Sequence, residues 1–141
     1  MKLEQGLNEI DESAAADAAK GLEDEGYRVF HLSEGIVSRD AFFDAVRGQL
    51  PLAPPLASNY SWDALSDSLW GGLDELGDES MAIIWHGAEQ LEQASPRDFE
   101  IARSILADVS DSLADADTTQ GQTKRVVVLL AREVRREQDR G

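Results

Sequence analysis

Tyr27-Arg28-Val29-Phe30-His31-Leu32 alternates apolar with polar positions and is rich in β-formers, which predicts a strand. Ser33-Glu34-Gly35 turns the chain. Ser38 then stands where a helix N-cap belongs, and Phe42, Phe43, Val46 and Leu50 share one helical face. Pro51 ends that helix, and Pro54-Pro55 keeps the next stretch irregular. A second helix is expected from Trp62 to Leu76. Met81-Ala82-Ile83-Ile84-Trp85 is a continuous apolar run between Gly77 and Gly87, the pattern of a strand buried on both faces. A short turn or helix holds Leu91. Ser95 and Pro96 then open a long helix. Its stripe is Phe99, Ala102, Ile105, Leu106, Val109 and Leu113, with Glu100, Asp108, Asp111 and Asp115 on the outer side. Residues 116–123 read as a polar loop, and Arg125-Val126-Val127-Val128-Leu129-Leu130 as a third buried strand.

Strands alternating with helices predict an α/β domain with a small three-stranded parallel sheet and right-handed crossovers. Residues 27–131 carry that pattern. Residues 1–26 are acidic with few apolar positions, mostly Ala, and read as a disordered arm with at most a transient helix from Ser13 to Leu22. Residues 132–141 form a tail of mixed charge, expected to be frayed or disordered.

The helix at Trp62 is the most informative stretch. At 100° per residue, Trp62, Leu65, Leu69, Leu73 and Leu76 fall within roughly 80° and want a core. Asp63, Asp67, Trp70 and Asp74 fall within roughly 60°, well round the other side. Asp63 and Asp67 are like charges at i and i+4, which costs an isolated helix a few tenths of a kcal/mol. Such a face suits a docked cationic partner, or it is plain solvated surface. Gly71-Gly72 weakens the helix by roughly 1 kcal/mol per Gly relative to Ala, and marks a bend or a close approach.

Charge sharpens the choice of partner. The 141 residues carry a formal net charge of −15. A polyanion would be repelled, so nucleic acid is not an expected ligand. A basic protein would be attracted and its encounter steered. Mimicry of DNA, and simple colloidal solubility, are the other uses of such a charge. No apolar run approaches 18 residues, so no membrane contact is expected. Met1 to Lys20 lacks the apolar core of a secretory signal, and Cys is absent, so a cytoplasmic protein without disulfides is expected.

Catalytic and cofactor patterns are missing. His31 and His86 are far apart with no Cys to complete a zinc set, and each reads as a strand or strand-end residue. Gly71-Gly72 is not a phosphate loop, because no Lys-Ser/Thr pair follows. Ser61, Ser66 and Ser68 have no Gly-x-Ser-x-Gly elbow. Asp63 and Asp67 sit on a convex face, whereas an acid–base pair needs a cleft. No enzyme activity, no metal and no cofactor are expected.

Asp63-Ala64-Leu65-Ser66-Asp67-Ser68-Leu69 resembles the Asp-Ala-Leu-x-Asp-x-Leu of the inhibitory helix in barstar-like inhibitors of barnase-type ribonucleases. Asn59-Tyr60-Ser61-Trp62 is similar to that family's aromatic loop, and Ile83-Ile84-Trp85 to its second strand. The similarity runs from Tyr27 to Ala131. It implies a three-stranded parallel sheet, as the patterns do. It also implies an inhibitor that is monomeric when free. Its loop and acidic helix would plug the active site of a basic ribonuclease or related toxin, with an immunity role against that toxin. Asn59, Tyr60, Trp62, Asp63, Ser66, Asp67, Trp70 and Asp108 are the partner-binding residues so implied. The weight on Asp67 comes from the resemblance and not from spacing. Departures are an absent Gly after the loop aromatic, Ser66 in place of an exposed Trp, and longer loops near Pro54 and Thr118. A partner other than barnase itself follows. An acidic interaction module without nuclease inhibition is the alternative.

Overall fold

The structure is a computed structural model that describes residues 3–133. Residues 134–141 of the expected tail lie outside the described residues. The elements run β1 (Gly6–Asp11), α1 (Ala15–Asp24), β2 (Arg28–Leu32), α2 (Arg39–Gln49), α3 (Trp62–Glu75), β3 (Ser80–His86), α4 (Glu89–Ala94), α5 (Pro96–Leu113), α6 (Ala116–Thr119) and β4 (Arg125–Arg132).

All strand pairs are parallel, in the order β1-β4-β3-β2. The α/β architecture with a parallel sheet is as expected, but among the described residues the sheet has four strands instead of three. The fourth comes from the segment expected to be disordered. β1 pairs with β4 from Gly6↔Val127 to Asp11↔Arg132, and a short 3-10 turn leads into α1. The expectation failed because average hydrophobicity was too coarse a criterion. Ala15, Ala19 and Leu22 of α1 are buried on Ala82, Ile84, Val127, Leu129 and Ala131. Small side chains suffice there, since several of their sheet partners are small too.

The central strands β3 and β4 alternate between two cores, which is why their sequences are apolar throughout. Met81, Ile83, Trp85, Val126, Val128 and Leu130 face the helices α2, α3, α4 and α5. Ala82, Ile84, Val127, Leu129 and Ala131 face α1. Among the described residues the edge strands β1 and β2 have a strand partner on one side alone, and they carry the mixed sequences.

Ser38 caps α2 by accepting from the Ala41 N–H at 3.0 Å. Leu50 follows the helix and Pro51 stops it. The chain then crosses α3, with the Ala53 N–H donating to the Ser68 carbonyl at 2.9 Å. This crossing explains Gly71-Gly72. A Cβ on Gly72 would stand 2.1 Å from the Pro51 carbonyl oxygen, and one on Gly71 would stand 2.2 Å from that of Ala53. The pair marks a close approach of backbone to helix. The expected polar loop at 116–123 contains one turn of helix, α6, with Thr119 buried.

Candidate acidic face on helices α3 and α5

Ser61 accepts from the Ala64 N–H at 3.1 Å and starts α3. Leu65, Leu69 and Leu73 go to the core, as periodicity predicts. Asp63 and Asp67 are exposed, and Asp74 is half-buried. Both α3 and α5 lead into parallel strands and run back against the strand direction. The Trp70 indole N–H donates to Ser112 Oγ at 3.0 Å and ties the two helices together. One turn earlier on each helix stand Asp67 and Asp108, both exposed. Asp63, Asp67 and Asp74 therefore extend along one helix, with Asp108 beside them on the next.

None of these four carboxylates has an ion-pair partner among the described residues. Several cations of the neighbouring elements are engaged elsewhere. Arg47 meets Asp44 at 3.0 Å and donates to the Leu56 carbonyl. Arg103 pairs with Glu100, and Arg39 with Asp40. The Lys124 ammonium donates to the carbonyls of Leu76 and Asp78. The face is a run of uncompensated negative charge on a rigid two-helix support.

The loop before α3 is fixed from below. The Asn59 side chain accepts from Arg47 Nη2 at 2.6 Å, so it is committed to the scaffold. Trp62 is half-buried, with its ring 4.9 Å from that of Phe43 and 5.9 Å from that of Phe42. Between these two anchors Tyr60 projects, 84% exposed. Ser66 is half-buried on α3. The sequence-predicted residues thus separate into projecting groups (Tyr60, Asp63, Asp67, Asp108), half-covered ones (Ser66, Trp70) and loop anchors (Asn59, Trp62). Arg47 and Ser112 were not foreseen. Each acts through a contact across elements that no local pattern encodes.

A second cluster was also missed. His31 Nδ1 and His86 Nε2 lie 2.9 Å apart, and His86 Nδ1 is 2.8 Å from Glu12 Oε2. Glu12 Oε1 accepts from the Gly87 N–H at 2.9 Å. These groups gather at the carboxyl ends of β1, β2 and β3. Burial first, and the neighbouring His86 second, hold the His31 pKa below its usual value, with Glu23 acting against them. Among the described residues no group of His, Cys, Asp and Glu is disposed to hold a metal ion. No helix among them is long and apolar enough to cross a membrane.

The family model described as Barstar (barnase inhibitor) matches residues 27–130. The match spans β2 to nearly the end of β4 and leaves out β1 and α1. Neither the curated proteins nor the solved structures compared with the chain gave a match.

Proposed function

Because the chain belongs to the barstar family, a family of inhibitors and not of catalysts, we propose that it blocks a basic barnase-type ribonuclease. Asp63, Asp67 and Asp108 enter the cationic site that otherwise holds RNA phosphates, and Tyr60, Ser66 and Trp70 cover its rim. Asn59 and Trp62 set the loop from which Tyr60 projects. The protein mimics a polyanion and performs no chemistry. It acts as a monomer in the cytoplasm of the cell that makes the toxin, as an immunity protein.

The observation that carries this reading is the set of acids on α3 and α5 without an ion-pair partner among the described residues, on a face that the family match covers. Uncompensated carboxylates cost stability and gain from a cationic partner. Their charge-assisted hydrogen bonds strengthen when water is excluded. The net charge of −15 adds long-range attraction.

The reading is tested by titrating the purified chain into a panel of barnase-type ribonucleases and following RNA cleavage. Stoichiometric loss of activity for at least one enzyme is expected, and it should weaken with Asp67→Ala. Full activity throughout the panel would leave the interaction module as the better account. Its support is Ser66 standing where the family has an exposed aromatic.

A further inference from the structure

Beyond the acids that align with the family motif, the same face contains a polar cleft of about 290 Å³, open to solvent. Trp70 and Asp74 of α3 form one wall, and Thr118, Thr119, Gln120 and Gln122 form the other. We infer that this cleft is a pocket for an arginine side chain of the docked protein. The source of that arginine rests on the inhibitor reading; the pocket's preference for a guanidinium does not.

The wall made by residues 115–122 is built and not merely present. Asp115 caps α6 by accepting from the Asp117 N–H at 2.8 Å. Thr119 is buried, and its hydroxyl donates to the Asp115 carbonyl at 2.8 Å. Gln120 takes the left-handed conformation with φ 57°, Gly121 follows at φ 86°, and the Gly121 N–H closes the turn on the Ala116 carbonyl at 2.8 Å. Those bonds use the backbone, the Asp115 carboxylate and the Thr119 hydroxyl. The side chains of Thr118, Gln120 and Gln122 make no hydrogen bond among the described residues, so their oxygens are available. On the opposite wall the indole of Trp70 is oriented by its bond to Ser112. Asp74 is half-buried and has no ion-pair partner among the described residues.

A carboxylate, an aromatic ring and amide or hydroxyl oxygens around one cleft match a guanidinium. The carboxylate takes two of its N–H groups in parallel. The ring takes its face. The amide oxygens take the remaining donors. A lysine ammonium would use the charge but neither the plane nor the fork. An anion would meet Asp74, and an apolar group would strand three polar side chains. The spacing also fits a shared footprint. Asp74 is seven residues beyond Asp67, which is about 10 Å along a helix. One partner can therefore fill its active site with Asp67 and place an arginine from its rim on Asp74.

The test uses the full chain, labelled with nitrogen-15, titrated with N-acetyl-arginine amide and, separately, with N-acetyl-lysine amide. Saturable shifts are expected at the Trp70 indole N–H and at the Thr118 and Gln122 amides. They should need at least threefold more of the lysine amide, and at least fivefold more arginine amide in Asp74→Asn. The exposed neighbour Glu75 lies about 100° round the helix from Asp74, so Glu75→Gln removes the same charge away from the cleft. It should bind the arginine amide like the parent. Shifts that are unlocalised, or equal in Asp74→Asn and Glu75→Gln, would overturn the pocket. Against an inhibited ribonuclease, Asp74→Asn should bind at least fivefold more weakly than Glu75→Gln, and equal affinities would likewise overturn the pocket's role in docking. If the cleft binds the arginine amide but no ribonuclease in the panel is inhibited, the pocket stands and the inhibitor reading falls. Inhibition without cleft binding removes the pocket alone.

Discussion

The rings of His31 and His86 stack with centroids 5.1 Å apart and planes 15° from parallel, while sharing a hydrogen bond. That bond requires one nitrogen to donate and the other to accept. Both rings therefore cannot be doubly protonated while it exists. Glu12, on the segment after β1, holds the far side of His86.

A pH dependence follows, with its sign fixed by the direction of the shift. The folded-state pKa of His31 is lowered, chiefly by burial and then by His86, with Glu23 opposing. Below the usual histidine value of about 6.5 the unfolded chain thus binds more protons than the folded one, and stability rises with pH there. The contribution is complete above that value and is lost as pH falls through the folded pKa. Urea melts from pH 5 to 7.5 should show this slope, and His31→Asn should flatten it. A variant with an unchanged slope would assign the slope to the carboxylates.

The N-terminal segment is a second case. Leu22 is buried on the α1 face of the sheet. Leu22→Ala should cost about 2–5 kcal/mol through lost burial plus a cavity. Removal of residues 1–26 should abolish cooperative unfolding or lower the midpoint sharply, because it uncovers Ala82, Ile84, Val127 and Leu129. Urea melts of both variants check this, and a truncated chain as stable as the parent would contradict the packing.

Ile84 at the centre of the sheet is fully buried. Ile84→Ala should also cost about 2–5 kcal/mol. Ribonuclease binding at 25 °C should persist while the domain stays folded, since Ile84 faces away from α3. Calorimetric titration against an inhibited ribonuclease, alongside a melt, separates the two effects.

The glycines of α2 and α3 should respond oppositely. A Cβ on Gly48 of α2 meets nothing within 4 Å, so Gly48→Ala should stabilise by about 0.5–1 kcal/mol through helix propensity. A Cβ on Gly72 meets the Pro51 carbonyl, so Gly72→Ala should destabilise by about 1–3 kcal/mol as the crossing segment is pushed off. Paired thermal melts read the difference.

Asp67 is exposed and has no ion-pair partner among the described residues, so its loss should leave folding intact. Relief of the like-charge pair with Asp63 even favours the free helix slightly. In a complex the same loss leaves partner cations buried, at about 2–5 kcal/mol, a range to which barnase–barstar pairs themselves contribute. Asp67→Ala should then bind roughly 30-fold or more weakly. Calorimetry with urea melts tests whether binding and stability part company. Equal binding would reduce the face to solvated surface.

How legible each part was depends on where its partners lie. β3 and β4 were plain in the sequence because strands covered on both faces must be apolar at every position. α3 was plain because its capping Ser61, apolar stripe and acidic stripe are local. β1 was hidden because an edge strand shows only Leu7 and Ile10 as large apolar positions. α1 was hidden because its buried side is largely alanine, whose fit depends on the small residues opposite. Of the face itself, the acids could be read from spacing and motif. The anchoring of Asn59 by Arg47 and of Trp70 by Ser112 could not, because each joins elements that only the fold brings together.

Among the described residues, β1 hydrogen-bonds to no strand but β4. The Gln5 side chain, which receives the Val126 N–H, is 121 positions away along the chain. On a ribosome β1 is made before β4, and so has no place to dock until β4 has emerged. α1, which also touches β2 and β3, can settle on the nascent sheet earlier. α3 and α5, which carry the acidic face, are both made by residue 113, before β4 begins at Arg125. The order of synthesis thus assembles the acidic face early and fastens the far edge of the sheet last.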